Sequence, residues 1–156
     1  MNDRDYLLHA FRGNQSAVEF VLMVARVADV WDNLVDKDAV VLTKDIHDAF
    51  WLLAIEMPGN AFYRAHMDDL RPVMATGIVN WITSNTMESM GFRAVEIAHV
   101  IRYGIADVAI LAALLCGGRE WAAEVGPELR LRAQKSDLNE YINSLRVKRE
   151  VNHATE

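Results

Sequence analysis

Apolar positions along this chain recur at helical spacing, and the residues that interrupt them are helix caps and stops rather than strand turns. Ser16 with Glu19 three residues later reads as a capping box opening an apolar-rich helix over 17–36. Thr43 is placed to cap a second helix over 44–57, where Pro58-Gly59-Asn60 imposes a stop and Asn60 can cap a short helix over 61–70. Pro72 suits the first turn of a further helix reaching Met90, and Gly91 ends it. The longest expected helix, 92–116, closes at Gly117-Gly118. It is followed by 119–132, broken at Gly126-Pro127, and by 137–149 after a Ser136 cap. No stretch alternates with a period of two and no repeat is visible. The expectation is an all-α bundle of about six or seven helices in one domain, residues 1–147, with 148–156 as a frayed tail.

Composition narrows the picture. A chain of 156 residues can close one core without a metal or disulfide staple. The lone cysteine, Cys116, lies in an apolar run, so it reads as a small buried hydrophobe and excludes both an intrachain disulfide and a Cys-based zinc site. A net charge of −6 argues against nucleic acid as a partner. The first residues lack the basic-then-apolar layout of a signal peptide, and the apolar run 105–116 is too short to span a bilayer and contains Asp107. These features set the expectation of a cytoplasmic protein with no membrane span.

Three polar lines carry the candidate chemistry. On the first long helix Asp29, Asp32 and Asp36 share an arc of about 140° with Glu19, Arg26 and Asn33. A solvated helix face would show such an arc too. Yet four carboxylates, counting Asp38, crowd a helix C-terminus where the macrodipole favours cations, and few cations accompany them. A bound Mg²⁺ or Mn²⁺ would offset that cost. On the helix after Pro72, the groups Thr76, Asn80, Thr83, Ser84 and Glu88 form a largely uncharged polar stripe, as expected where a polar face meets protein or ligand. On the next helix Arg93, Glu96, His99, Tyr103 and Asp107 align. Asp107 then needs a partner in Arg26, Arg64, Arg93 or a metal, while Arg102 points away from that line and toward a different helix.

The segments Asp32-Asn33-Leu34-Val35-Asp36 and Asn80 through Glu88 resemble the aspartate-rich and Asn/Ser/Glu motifs of class I isoprenoid synthases. The resemblance implies a cavity in which the two motifs face each other and hold Mg²⁺ ions that bind a substrate diphosphate. On that reading Asp32, Asp36, Asn80, Ser84 and Glu88 are metal ligands, joined by the neighbouring Asp29. Arg93 or Arg102 contacts phosphate, and the partner is a phosphorylated small molecule. No catalytic acid, base or nucleophile is singled out. The pairs Asp29-x-x-Asp32 and Asp45-x-x-Asp48 are also similar in layout to the carboxylate pairs of all-α nucleotide pyrophosphatases. Over its whole length the chain looks like small helical proteins of bacteriophages and marine sequences, a likeness that assigns no site residues. Whether the chain is an enzyme stays open. A homo-oligomeric partner-binding or structural module, with Trp31, Trp51, Trp81 or Trp121 at subunit contacts, has the same composition, and exposed aromatics would favour it.

Overall fold

In a computed structural model, which describes residues 3–37 and 39–154 with side chains through Arg146, the chain is all-α, with no strand among the described residues. The helices are α1 (Asp3–Ala10), α2 (Gln15–Asp36), α3 (Thr43–Trp51), α4 (Ala61–Met87), α5 (Phe92–Ile101), α6 (Ile105–Ala133) and α7 (Leu138–Ala154). The expected tail, 148–156, falls on residues whose side chains, and at 155 and 156 whose backbone, lie outside the described set, as does Asp38.

Several expected boundaries move, each for a local reason. Asn14, not Ser16, caps α2, its side chain accepting from the Ala17 N–H at 3.1 Å. Ser16 instead ties α2 to α4, accepting from the Phe62 N–H at 2.9 Å and donating to Asn60 at 3.2 Å. Asn60 caps α4 as expected, accepting from the Tyr63 N–H. Helix α3 starts without a Thr43 cap: Thr43 is already helical, and Asp45 reaches back to the Leu42 N–H. It then runs through a π-helical turn, Leu52–Glu56, into Met57–Gly59.

Pro72 does not separate two helices. The backbone passes it within α4, and the distortion falls at His66. The run expected as one helix over 92–116 is broken at Arg102-Tyr103-Gly104, and the expected close at Gly117-Gly118 is met by a non-helical Gly118 at φ 80°, ψ 179° that kinks α6, whose second part runs past Pro127 to Ala133. Asp137 rather than Ser136 caps α7, exchanging hydrogen bonds with Glu140 in both directions. Position 104 at this break has no room for a side chain: a Cβ there would sit 2.8 Å from the Gly77 Cα, so α4 and the α5–α6 corner touch backbone to backbone.

The main core joins α1, α2, the start of α4 and α6. Phe11, Phe20, Val18 and Leu70 are fully buried against Ala109, Ala112 and Ala113, and small residues on α6 leave room for the rings. Each such ring contributes about 1.5–3 kcal/mol of burial. Trp121 closes this end by donating its indole N–H to the Ala10 carbonyl at 2.7 Å. Cys116 is half-buried at its edge, where burial pushes the thiol up. A second, smaller cluster of Val95, Ala98, Tyr141 and Leu145 joins α5 to α7. The candidate site lies between the two.

Candidate functional site

Asp32 and Asp36 are one turn apart at the end of α2, and Glu88 follows the last residue of α4. Arg102, at the α5–α6 corner, draws all three together. Its Nη2 donates to Asp32 Oδ1 at 3.2 Å and Asp36 Oδ2 at 3.3 Å, and its Nη1 donates to Glu88 Oε1 at 2.9 Å and the Tyr141 hydroxyl oxygen at 3.2 Å. Tyr141 donates in turn to Glu88 Oε1 at 2.6 Å, and the Trp81 indole donates to Asp32 Oδ1 at 2.7 Å. The arginine side chain is 11% exposed and that of Asp36 12%, so their charge-assisted bond is largely desolvated, while Asp32 at 37% keeps contact with solvent. Four elements (the end of α2, the end of α4, the α5–α6 corner and α7) meet on one planar cation.

The electrostatics follow from that enclosure. Burial works against the Arg102 charge, but the hydrogen bond to Tyr141 and the charges of Asp32 and Glu88 more than offset it, so the guanidinium is held more firmly protonated than usual. Burial, then the Glu88 bond and charge, push the Tyr141 phenol well above its ordinary range. Behind Tyr141 stands the buried His99, stacked on its ring at 5.1 Å and hydrogen-bonded through Nε2 to the Ser136 carbonyl at 2.9 Å. The Tyr103 and Ser136 hydroxyls pair at 3.0 Å, and Lys135 pairs with Asp29, so the α6–α7 connection is strapped across the site.

Beside this network a cavity of about 540 Å³ opens between α2, α4 and α6. Its walls are largely apolar, with Val24, Val27, Trp31, Leu53, Met74 and Val108 among them, and its polar end is Asp32, Asp36, Arg102 and Tyr141. Trp31 lies against Trp81 with centroids 4.1 Å apart and forms one flank. Volume and lining are those of a small-molecule site.

The six residues expected as metal ligands part company here. Asp32, Asp36 and Glu88 converge, from the two helices expected to face each other. Asp29 lines the cavity in its pair with Lys135. Ser84 is fully buried and donates back to its own helix at the Trp81 carbonyl, 2.7 Å away, and Asn80 is half-buried on α4. Among the described residues no three His, Cys, Asp or Glu side chains are grouped so as to hold a metal ion.

Of the two expected phosphate contacts, Arg102 reaches the helices other than its own, as its phase suggested, and Arg93 stays exposed on α5. Asp107 is exposed and pairs with Arg130, not with Arg26, Arg64 or Arg93. The pyrophosphatase-like pair Asp45 and Asp48 is engaged separately, by Arg26 at 2.6 Å and by Lys44. Of the tryptophans, Trp81 and Trp121 are buried, Trp31 is half-buried and Trp51 is 57% exposed.

Sequence reading missed Tyr141, the Trp81 indole and the Lys135-Ser136 strap. One signal pointed to Arg102 itself: it is the lone charge in the run Val100-Ile101-Arg102-Tyr103-Gly104-Ile105. No single helix among the described residues is long and apolar enough to cross a membrane. Comparison of the chain with protein-family models, curated proteins and solved structures returns no match.

Proposed function

We propose that this chain binds a small, largely apolar molecule in the cavity between α2, α4 and α6, with the polar end of that molecule at the Arg102 network. The observation that carries this reading is the cavity itself: about 540 Å³ of mostly apolar wall ending in a convergent set of charged and hydroxyl groups. The network is held from four directions, so its donors and acceptors are fixed before a ligand arrives and little is spent on ordering them. Trp31, Leu53 and Met74 supply contact area, and Arg102, Tyr141 and the two aspartates discriminate between head groups.

A second reading is favoured by one observation, the convergence of Asp32, Asp36 and Glu88 on Arg102, with the two aspartates and the arginine at that polar end. In it the ligand is an apolar phosphate or diphosphate. The guanidinium would turn from the carboxylates to the phosphate oxygens and the carboxylates would hold Mg²⁺ in its place, with Asp29 on the same cavity wall; Asn80 and Ser84, the latter bonded to its own helix, do not line the cavity. The metal would neutralise charge on a departing diphosphate. The isoprenoid-synthase-like enzymatic class rests on this second reading, whereas the nucleotide pyrophosphatase alternative needs Asp45 and Asp48, which pair with Arg26 and Lys44 away from the cavity.

One experiment separates them: thermal unfolding of wild type, Ala28→Phe, which fills the cavity wall, and Asp32→Ala. Each is measured with anilinonaphthalene sulfonate, with Mg²⁺, and with Mg²⁺ plus pyrophosphate. Saturable stabilisation of wild type by the apolar probe, weakened at least about tenfold in Ala28→Phe, is the expected result. A shift needing both Mg²⁺ and pyrophosphate, absent in Asp32→Ala, selects the second reading. Equal probe binding by wild type and Ala28→Phe overturns the first.

A further inference from the structure

The charged groups that line the cavity are not equally free to meet a ligand. Each terminal nitrogen of Arg102 carries two N–H groups and makes two bonds, Nη1 to Glu88 and Tyr141 and Nη2 to Asp32 and Asp36, so all of these donors are already used. Lys135, the other cation of the lining, is paired with Asp29. Asp32 is placed differently. Both of its bonds, from the Trp81 indole and from Arg102, land on Oδ1, and Oδ2 accepts from no donor among the described residues. The side chain lines the cavity and still meets solvent. At the polar end the guanidinium is committed to the protein, and a carboxylate oxygen is on offer.

We infer that the head group this cavity selects is a cation, which makes the ligand class a lipophilic amine: an apolar body along Val27, Met74 and Val108, with a protonated nitrogen at Asp32 Oδ2. The inference rests on the first reading proposed above and narrows it. An ammonium donates a charge-assisted hydrogen bond to Oδ2 and leaves every bond of Arg102 in place. Trp31 and Trp81 line the cavity beside Asp32, one its chain neighbour and the other its hydrogen-bond donor, and indole rings attract cations. Because Asp32 keeps contact with solvent, the ammonium is not stripped of all its water, which limits the desolvation cost. An anionic head group meets the opposite situation. It approaches the charge of Asp32 at close range, and it reaches Arg102 only by displacing carboxylates that would then lose their cation. A hydroxyl can donate to Oδ2, but without the help of charge.

The test is calorimetric titration at pH 7 with octylamine, octanol and octanoate, which share one apolar body. EDTA is present throughout, so that no divalent ion bridges a head group to the carboxylates. Wild type is expected to bind octylamine at least about tenfold more tightly than either of the others. In Asp32→Asn, which keeps the side-chain shape and the Oδ1 acceptor, the amine should fall to the level of the alcohol while the alcohol stays within about twofold of its wild-type affinity. Ala28→Phe, which fills the cavity, should weaken all three. Octanol or octanoate binding as tightly as octylamine in wild type overturns the cation and leaves the cavity reading standing; this ranking needs no variant to fold. An amine advantage that persists in Asp32→Asn overturns the inference too. So does undiminished amine binding by Ala28→Phe, which would trace the attraction to the net charge of −6 rather than to the cavity. If wild type binds none of the three, the cavity reading fails and the inference falls with it.

Discussion

Along α2, Ala17, Val18, Phe20 and Val21 are buried against α1, α4 and α6, whereas Val24, Val27, Ala28 and Trp31, beginning one turn further on, stand half-buried along a cavity wall. The two sets of residues named are equally apolar, so the hydrophobicity of these positions does not separate a closed core from an open one. The facing residues do. Opposite the first half, α6 presents alanines at 109, 112 and 113, and aromatic rings fill the space. Opposite the second half, the contact between Gly77 and Gly104 sets where α4 meets the α5–α6 corner, and the Arg102 network holds α2 at its far side. One end closes on shape and the other is held by charge around a gap.

The largest expected test of that contrast is Arg102→Met. It keeps the volume but leaves Asp32, Asp36 and Glu88 without their shared cation, and it should cost about 3–5 kcal/mol in urea unfolding. Adding Asp32→Asn should return part of the loss, because the two changes act on one bond. If Arg102→Met unfolds like wild type, the open end is not held by charge.

Next in size is a matched pair. Ala112→Phe forces a ring into the filled end and should cost about 3 kcal/mol, while Ala28→Phe grows into the cavity and should stay within about 1 kcal/mol of wild type. Equal costs would erase the distinction between the halves.

The smallest effect is a slope. Tyr141 has its phenol pushed up, first by burial and then by Glu88, so the folded chain keeps a proton that the unfolded chain releases near about pH 10. That contribution is fully present below the unfolded value and fades as pH rises above it toward the folded value. Urea midpoints followed through the alkaline range should therefore fall more steeply for wild type than for Tyr141→Phe. Parallel curves would mean that the phenol is not sequestered in the network.

The helical class was legible from periodicity and punctuation, as were the Asn60 cap and the end of α4 near Gly91. The meeting of Asp32 and Asp36 with Glu88 was legible too, since four-residue spacing puts each set on one stripe. What filled the space between them was not. A guanidinium from outside both helices leaves no mark on the stripes it neutralises, and the phase of Arg102 pointed it toward a different helix without saying which. Stops at Pro72 and Pro127 were overread because packing kept one helix axis going where local propensity favours an end, whereas the stop read at Gly117-Gly118 is kept as a non-helical break at Gly118. The stripe on α4 was read as a single polar face, whereas Ser84 and Glu88 turn inward and Thr76 and Thr83 outward.

The two glycines at the corner are not equivalent partners. A methyl group on Gly104 would fall 2.8 Å from Gly77, whereas one on Gly77 would meet Gly104 at an ordinary 3.6 Å. Drift in sequence over generations is therefore free to replace Gly77 with alanine but not Gly104. Since Arg102 lies only two residues before that forbidden position, the backbone corner from which its side chain starts is inherited with Gly104, while the place of its guanidinium depends on Asp32, Asp36, Glu88 and Tyr141.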